Sequence, residues 1–116
     1  MSKIKKIKFT VFAPVKSLSS GKKYEIEIKE NANFIEALAL LDKYVFEHPD
    51  ESPFPIYEGY IHSFLQLFWD PRINEIYDDC AVQAYGPNKV FIPLREKIES
   101  SLHIVDDILL QVDYGC

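Results

Sequence analysis

Apolar and polar side chains alternate from Ile4 to Ala13. Ile7, Phe9, Val11 and Ala13 fall on one side and Lys6, Lys8, Thr10 and Phe12 on the other, which is the two-residue period of a strand with one buried face. Pro14 ends the run and Ser17 to Gly21 supply turn residues. Tyr24, Ile26 and Ile28 then alternate with Glu25, Glu27 and Lys29, predicting a hairpin with one wet face. The period changes at Asn33, an N-cap residue with Glu36 three places on. Phe34, Ile35, Leu38, Leu41 and Val45 follow at helical spacing, so a capped helix is expected from Asn33 to about His48. Pro49 stops it, and Pro53 and Pro55 keep Asp50 to Ile56 extended and irregular.

Tyr57 to Trp69 places Tyr60, Ile61, Phe64, Leu65 and Phe68 on one helical face, and a helix is expected there, broken by Asp70-Pro71. Arg72 to Asp78 reads as a further helical turn. Ala81 to Tyr85 and Lys89 to Leu94, separated by Gly86-Pro87-Asn88, predict a second hairpin. The mixed stretch Leu94 to His103 has room for a short helical turn around Glu96 to Glu99. Asp106-Asp107 then marks a turn into Ile108 to Val112, a run apolar on both faces that belongs inside a sheet, with Tyr114, Gly115 and Cys116 projecting past it as a flexible tail. This order predicts an α+β domain spanning 1–116, with a mixed β-sheet, one main helix packed across one face and an extra helical insertion at 49–79.

The chain's 116 residues are one domain's worth, and 47% hydrophobic residues are enough for a core without staples. A net charge of −5, with lysines gathered at Lys3, Lys5, Lys6 and Lys8, argues against nucleic acid as a partner and suggests a solvated strand edge instead. Those lysines are followed by no long apolar run, because Thr10, Pro14 and Lys16 interrupt it, so no signal peptide is expected. No stretch approaches membrane-spanning length. Cys80 and Cys116 are too few for a disulfide framework or an all-cysteine metal site, and a reducing, cytoplasmic setting is the expectation.

Several local patterns resemble the β-grasp fold of ubiquitin-like proteins, and more closely the small prokaryotic sulfur carriers: the molybdopterin synthase small subunit, the thiamine sulfur carrier and the ubiquitin-related modifiers. Ile7 to Val15 with Leu18 and Gly21 is similar to that family's first strand and turn. Asn33 to Leu38 is similar to its helix start, and Ile104 to Leu110 to its final turn and strand. The resemblance implies a sulfur carrier for cofactor biosynthesis such as molybdopterin's, with no bound cofactor of its own. Its partners would be an E1-like adenylating enzyme and a sulfur-accepting synthase subunit. The family ends in Gly-Gly, whose carboxylate becomes a thiocarboxylate, whereas this chain ends in Gly115-Cys116. Three tail chemistries stay open: a thiocarboxylate on Cys116, one on Gly115 after removal of Cys116, or a persulfide on the Cys116 thiol. The alternative is a non-conjugating β-grasp protein-interaction module.

Catalysis by the chain itself finds little support in its residues. His48, His62, His103 and Cys80 have no motif spacing, and Cys80, beside Asp78 and Asp79, reads as a small core residue. The rings Tyr60, Phe64, Phe68 and Trp69 in the insertion, with Tyr114 in the tail, are the candidate partner-binding residues. Exposed together, the insertion's rings would form an apolar docking patch, possible also between copies of the chain.

Overall fold

The first alternating run forms strand β1 over Ile4–Phe12, and the second forms β2 over Lys22–Lys29. The computed structural model describes residues 3–12, 21–51, 63–93 and 101–112. Between β2 and the next strands lies helix α1, Phe34–Glu47. The Asn33 side chain accepts from the Glu36 N–H, and Glu36 returns a bond to the Asn33 N–H, so the expected capping box is present. A single 3-10 turn at Pro49–Glu51 follows. Then come helix α2 at Phe64–Phe68, a small hairpin of β3 (Trp69–Asp70) and β4 (Glu75–Ile76), β5 at Cys80–Tyr85, β6 at Phe91–Ile92 and β7 at Asp107–Val112.

Five strands form one mixed sheet in the order β2-β1-β7-β5-β6. β1 and β7 run parallel at its centre, and every other pairing in the sheet is antiparallel. The β1–β2 hairpin, the parallel central pair and the helix lying between β2 and the later strands in the chain define an α+β fold, as the element order led us to expect, and the ubiquitin-like β-grasp that the resemblance implied. Ile7, Phe9 and Val11 of β1 meet Leu38 and Leu41 of α1 in one buried cluster that also takes in Ile108 and Leu110 of β7.

Four local expectations change. β7 is central but buries only one face: Ile108, Leu110 and Val112 are covered, Leu109 is half-buried and Gln111 is exposed. The opposite face of the sheet is a wet surface, so only one face of β7 belongs to the core. Arg72 to Asp78 is not helical, because Asn74 takes a positive φ of 54° and turns the chain from β3 into β4. β6 shrinks to two residues, since Asn88 and Lys89 both lie in the left-handed region and use up the start of the predicted strand. Of the lysine run, Lys8 alone lies where β1 is paired on both sides, Lys3, Lys6 and Lys8 stay exposed, and Lys5 turns inward. Its ammonium donates to the carbonyls of Leu102 at 3.2 Å, His103 at 3.1 Å and Val105, pinning the segment before β7 under the sheet.

The part of the insertion described from Ser63 onward folds inward. Asp42 of α1 accepts the N–H groups of Phe64 at 2.5 Å and Leu65 at 3.1 Å, capping the start of α2 and docking it on α1. Burial pushes the Asp42 carboxyl above its ordinary pKa, against the two backbone bonds that pull it down. At the other end of the insertion, Asp70 is buried under a two-pronged contact from Arg72, which holds its carboxyl below the usual carboxylate range.

Candidate functional site

The site begins with the alternation of β2. Glu30 donates its N–H to the Lys3 carbonyl at 2.7 Å, and hydrogen-bonded pairs alternate along an antiparallel ladder. Lys22, Tyr24, Ile26 and Ile28 therefore turn their backbone groups to β1. Lys23, Glu25, Glu27 and Lys29 turn theirs to the far side, where β2 is the edge of the sheet and nothing among the described residues pairs with it. The same alternation points the side chains of Tyr24, Ile26 and Ile28 into the core and leaves those four charged side chains exposed.

Beside this edge the chain rises through Ala32 into α1, leaving a groove of about 490 Å³. Its apolar floor is Ile28, Ala32, Ala39 and Leu40, with Glu27, Lys29 and Glu36 at the rim. At the opposite end of β2 the edge is tied down. Lys22 and Tyr24 donate to the Glu51 carbonyl at 2.7 and 3.0 Å, and Tyr44 donates to the Glu51 carboxylate at 2.6 Å. Burial, with Glu51 nearby, pushes the Tyr24 phenol far above its usual pKa, and the bond to Glu51 raises that of Tyr44. Both stay neutral donors at any ordinary pH. The open part of the edge thus runs from Lys23 to Lys29, with the groove at its Lys29 end.

The aromatic residues singled out from sequence lie elsewhere. Phe64 and Phe68 are fully buried and Trp69 is 8% exposed, because Asp42 draws α2 against α1 and its rings fill the space beside Tyr24, whose ring meets that of Phe64 edge-on at 5.6 Å. These three rings belong to the core and form no exposed patch. Tyr60, Tyr114, Gly115, Cys116 and His62 lie outside the described residues. Cys80 is buried, its thiol 3.6 Å from the Leu67 carbonyl, in keeping with a small core residue. His48 and His103 are exposed, and among the described residues no group of three or more His, Cys, Asp and Glu converges as metal ligands would. No described helix is long and apolar enough to cross a membrane.

Sequence reasoning missed the β2 strip and its groove. The four charges are legible as the wet face of a hairpin, but their position on an open edge depends on which strand later pairs with β1. A signal existed in the chain leaving β2 directly into a helix, since the strand that returns to β1 then takes its other side.

A β-grasp fold with an open β2 edge is the class of protein defined so far. No protein-family model matches the chain, and no curated protein matches it in sequence. Among solved structures it is similar to staphylococcal superantigen-like protein 10, at a TM-score of 0.49 and 12% identity, over 99% of this chain and 55% of that one. It is also similar to a superantigen-like protein from Staphylococcus aureus in complex with sialyl-Lewis X, at 0.48 and 11%, over 99% and 54%. A third is a superantigen-like protein from Staphylococcus aureus in complex with 3-N-acetylneuraminyl-N-acetyllactosamine, at 0.46 and 13%, over 99% and 54%. The chain spans about half the length of these structures.

These findings correct the sulfur-carrier resemblance. The three structures are superantigen-like proteins, two of them with sialylated glycans, and no family model places the chain among carriers. With it go the activated tail, molybdopterin biosynthesis, the E1-like adenylating enzyme and the synthase subunit. The physical reason is that Ile7 to Phe12, Asn33 to Leu38 and Ile104 to Leu110 build the β1 ladder, the helix cap and the central parallel pair. Those stretches carry the fold and none of the carrier chemistry.

Proposed function

We propose that this chain is a β-grasp protein-interaction module that acts by binding and not by catalysis, adding an extended segment of a partner protein to the open edge of β2. The observation that carries this reading is the strand edge from Lys23 to Lys29, with outward backbone groups and an apolar groove alongside. An added strand satisfies those N–H and C=O groups, and its alternate side chains reach the groove floor at Ile28 and Leu40.

The test is a peptide selection on the immobilised protein, followed by rebinding to Glu27→Pro. Proline at 27 removes an N–H that β1 does not use, so the hairpin keeps its ladder while an added strand loses a bond and meets the ring. Selected peptides are expected to lose at least tenfold in affinity for Glu27→Pro. Lys29→Pro serves as a second variant should the first lower the melting temperature. Peptides that bind wild type and both proline variants equally would place the binding surface elsewhere and end this reading.

A further inference from the structure

We infer that the exposed strip on β2 selects its partner by charge, favouring a complementary segment of another protein over a second copy of the chain; this rests on the reading that β2 receives a strand. The strip reads Lys23, Glu25, Glu27, Lys29, basic-acidic-acidic-basic, the same in both directions. Two copies paired antiparallel in full overlap about Ile26 would set Lys23 against Lys29 and Glu25 against Glu27. Paired in parallel through this same edge, the second copy would turn its strip to the opposite face of the sheet, and no charge of the strip would be complemented. In the full antiparallel overlap every facing pair is of like charge, and like charges directly opposite one another destabilise a sheet. A slip of two residues in the antiparallel arrangement sets two glutamate–lysine pairs around a glutamate facing its own copy, and a slip of four leaves two glutamate–lysine pairs, so no register of two copies complements more than two of the four charges.

The complement of this strip is acidic-basic-basic-acidic at alternate positions. The residues between them would point to the helix side of the sheet, where the one opposite Ile28 meets the groove floor of Ile28, Ala32 and Leu40 and is therefore apolar. Because the strip is palindromic, such a segment matches in either direction. β1 shows the pattern from the other side, where Lys6 and Lys8 stand opposite Glu27 and Glu25. Those lysines do not saturate the glutamates: the one ion pair, Lys6 to Glu25, is 3.8 Å long and leaves the Glu25 side chain 48% exposed. The partner assigned here is an extended segment of another protein with that seven-position pattern.

Three nine-residue peptides test it against the full chain: the complement with valine at the intervening positions, its charge inverse, and a version with threonine at all four charged positions. Affinity is read by backbone amide shifts of Lys23, Glu25, Glu27 and Lys29 during titration. The complement is expected to bind about tenfold more tightly than the inverse, with the threonine peptide between them and the gap closing in half-molar salt. Equal binding of all three, abolished by Glu27→Pro, overturns the charge inference and leaves the interaction module standing. No binding by any of the three, while selected peptides still bind in a proline-sensitive way, likewise overturns it. Sedimentation adds a separate arm, in which wild type is expected to be monomeric; a dimer dissolved by Glu27→Pro would show that the strip admits a second copy.

Discussion

Single side chains hold distant parts of this chain in place, and two make sharp predictions. Asp42 accepts the first two N–H groups of α2, so Asp42→Ala removes both of these bonds and is expected to cost about 1–2 kcal/mol in urea unfolding. Its pKa is raised by burial, so the folded chain holds that proton more tightly than the unfolded one. Stability linked to this group is therefore full below the ordinary aspartate range and declines as pH rises through the raised value, and Asp42→Asn should flatten that part of the stability–pH profile. Asp70 has the opposite sign: its pKa is lowered by Arg72, so its contribution is present above the ordinary range and lost as pH falls through the lowered value. Acid unfolding of Arg72→Ala is expected to begin at a higher pH than in wild type. Lys5 serves three carbonyls ahead of β7; Lys5→Met keeps the stem and strips the donors, with an expected loss of about 1–3 kcal/mol in urea unfolding.

At the scale of elements, the helix and the hairpin were legible because each is specified locally. Asn33 and Glu36 fix where α1 starts, and its apolar spacing fixes its inner face, so Leu38→Ala, at a fully buried position, is expected to cost about 2–5 kcal/mol. The exposed Phe46 gives the contrast, and Phe46→Ser should change urea unfolding by less than about 0.5 kcal/mol. Gly21 precedes β2 at φ +86°, where an added Cβ would meet the Phe12 ring at 2.5 Å. Gly21→Ala is therefore expected to destabilise the hairpin, lowering the melting temperature. The insertion resisted reading because its aromatics have the same spacing on a docking face as on a core face. What decides between them is Asp42, a residue twenty-two places earlier that caps α2. The β3–β4 turn was hidden for a similar reason, since Asn74 gives it a left-handed corner where helical residues surround it in sequence.

For the molecule as a whole, the class of fold was legible and the candidate site was not. A fold is written in repeated patterns, and an open edge is a property of how strands assemble. Amide hydrogen exchange should display that assembly directly. The N–H groups of Lys23, Glu25, Glu27 and Lys29 are expected to exchange within the fastest class, and those that join β1 to β7 within the slowest. Equal protection across β2 would mean that its outer edge is covered. The central parallel pair also bears on how the protein is made. Lys8 aligns with Asp107 and Phe12 with Gln111, partners separated by about a hundred residues of chain. On a ribosome, β1 and β2 emerge early and close their hairpin, yet the other side of β1 waits until nearly everything described here has been translated. For that interval the nascent hairpin has two open edges, and a chaperone or a neighbouring nascent chain has access to a surface that β7 later seals.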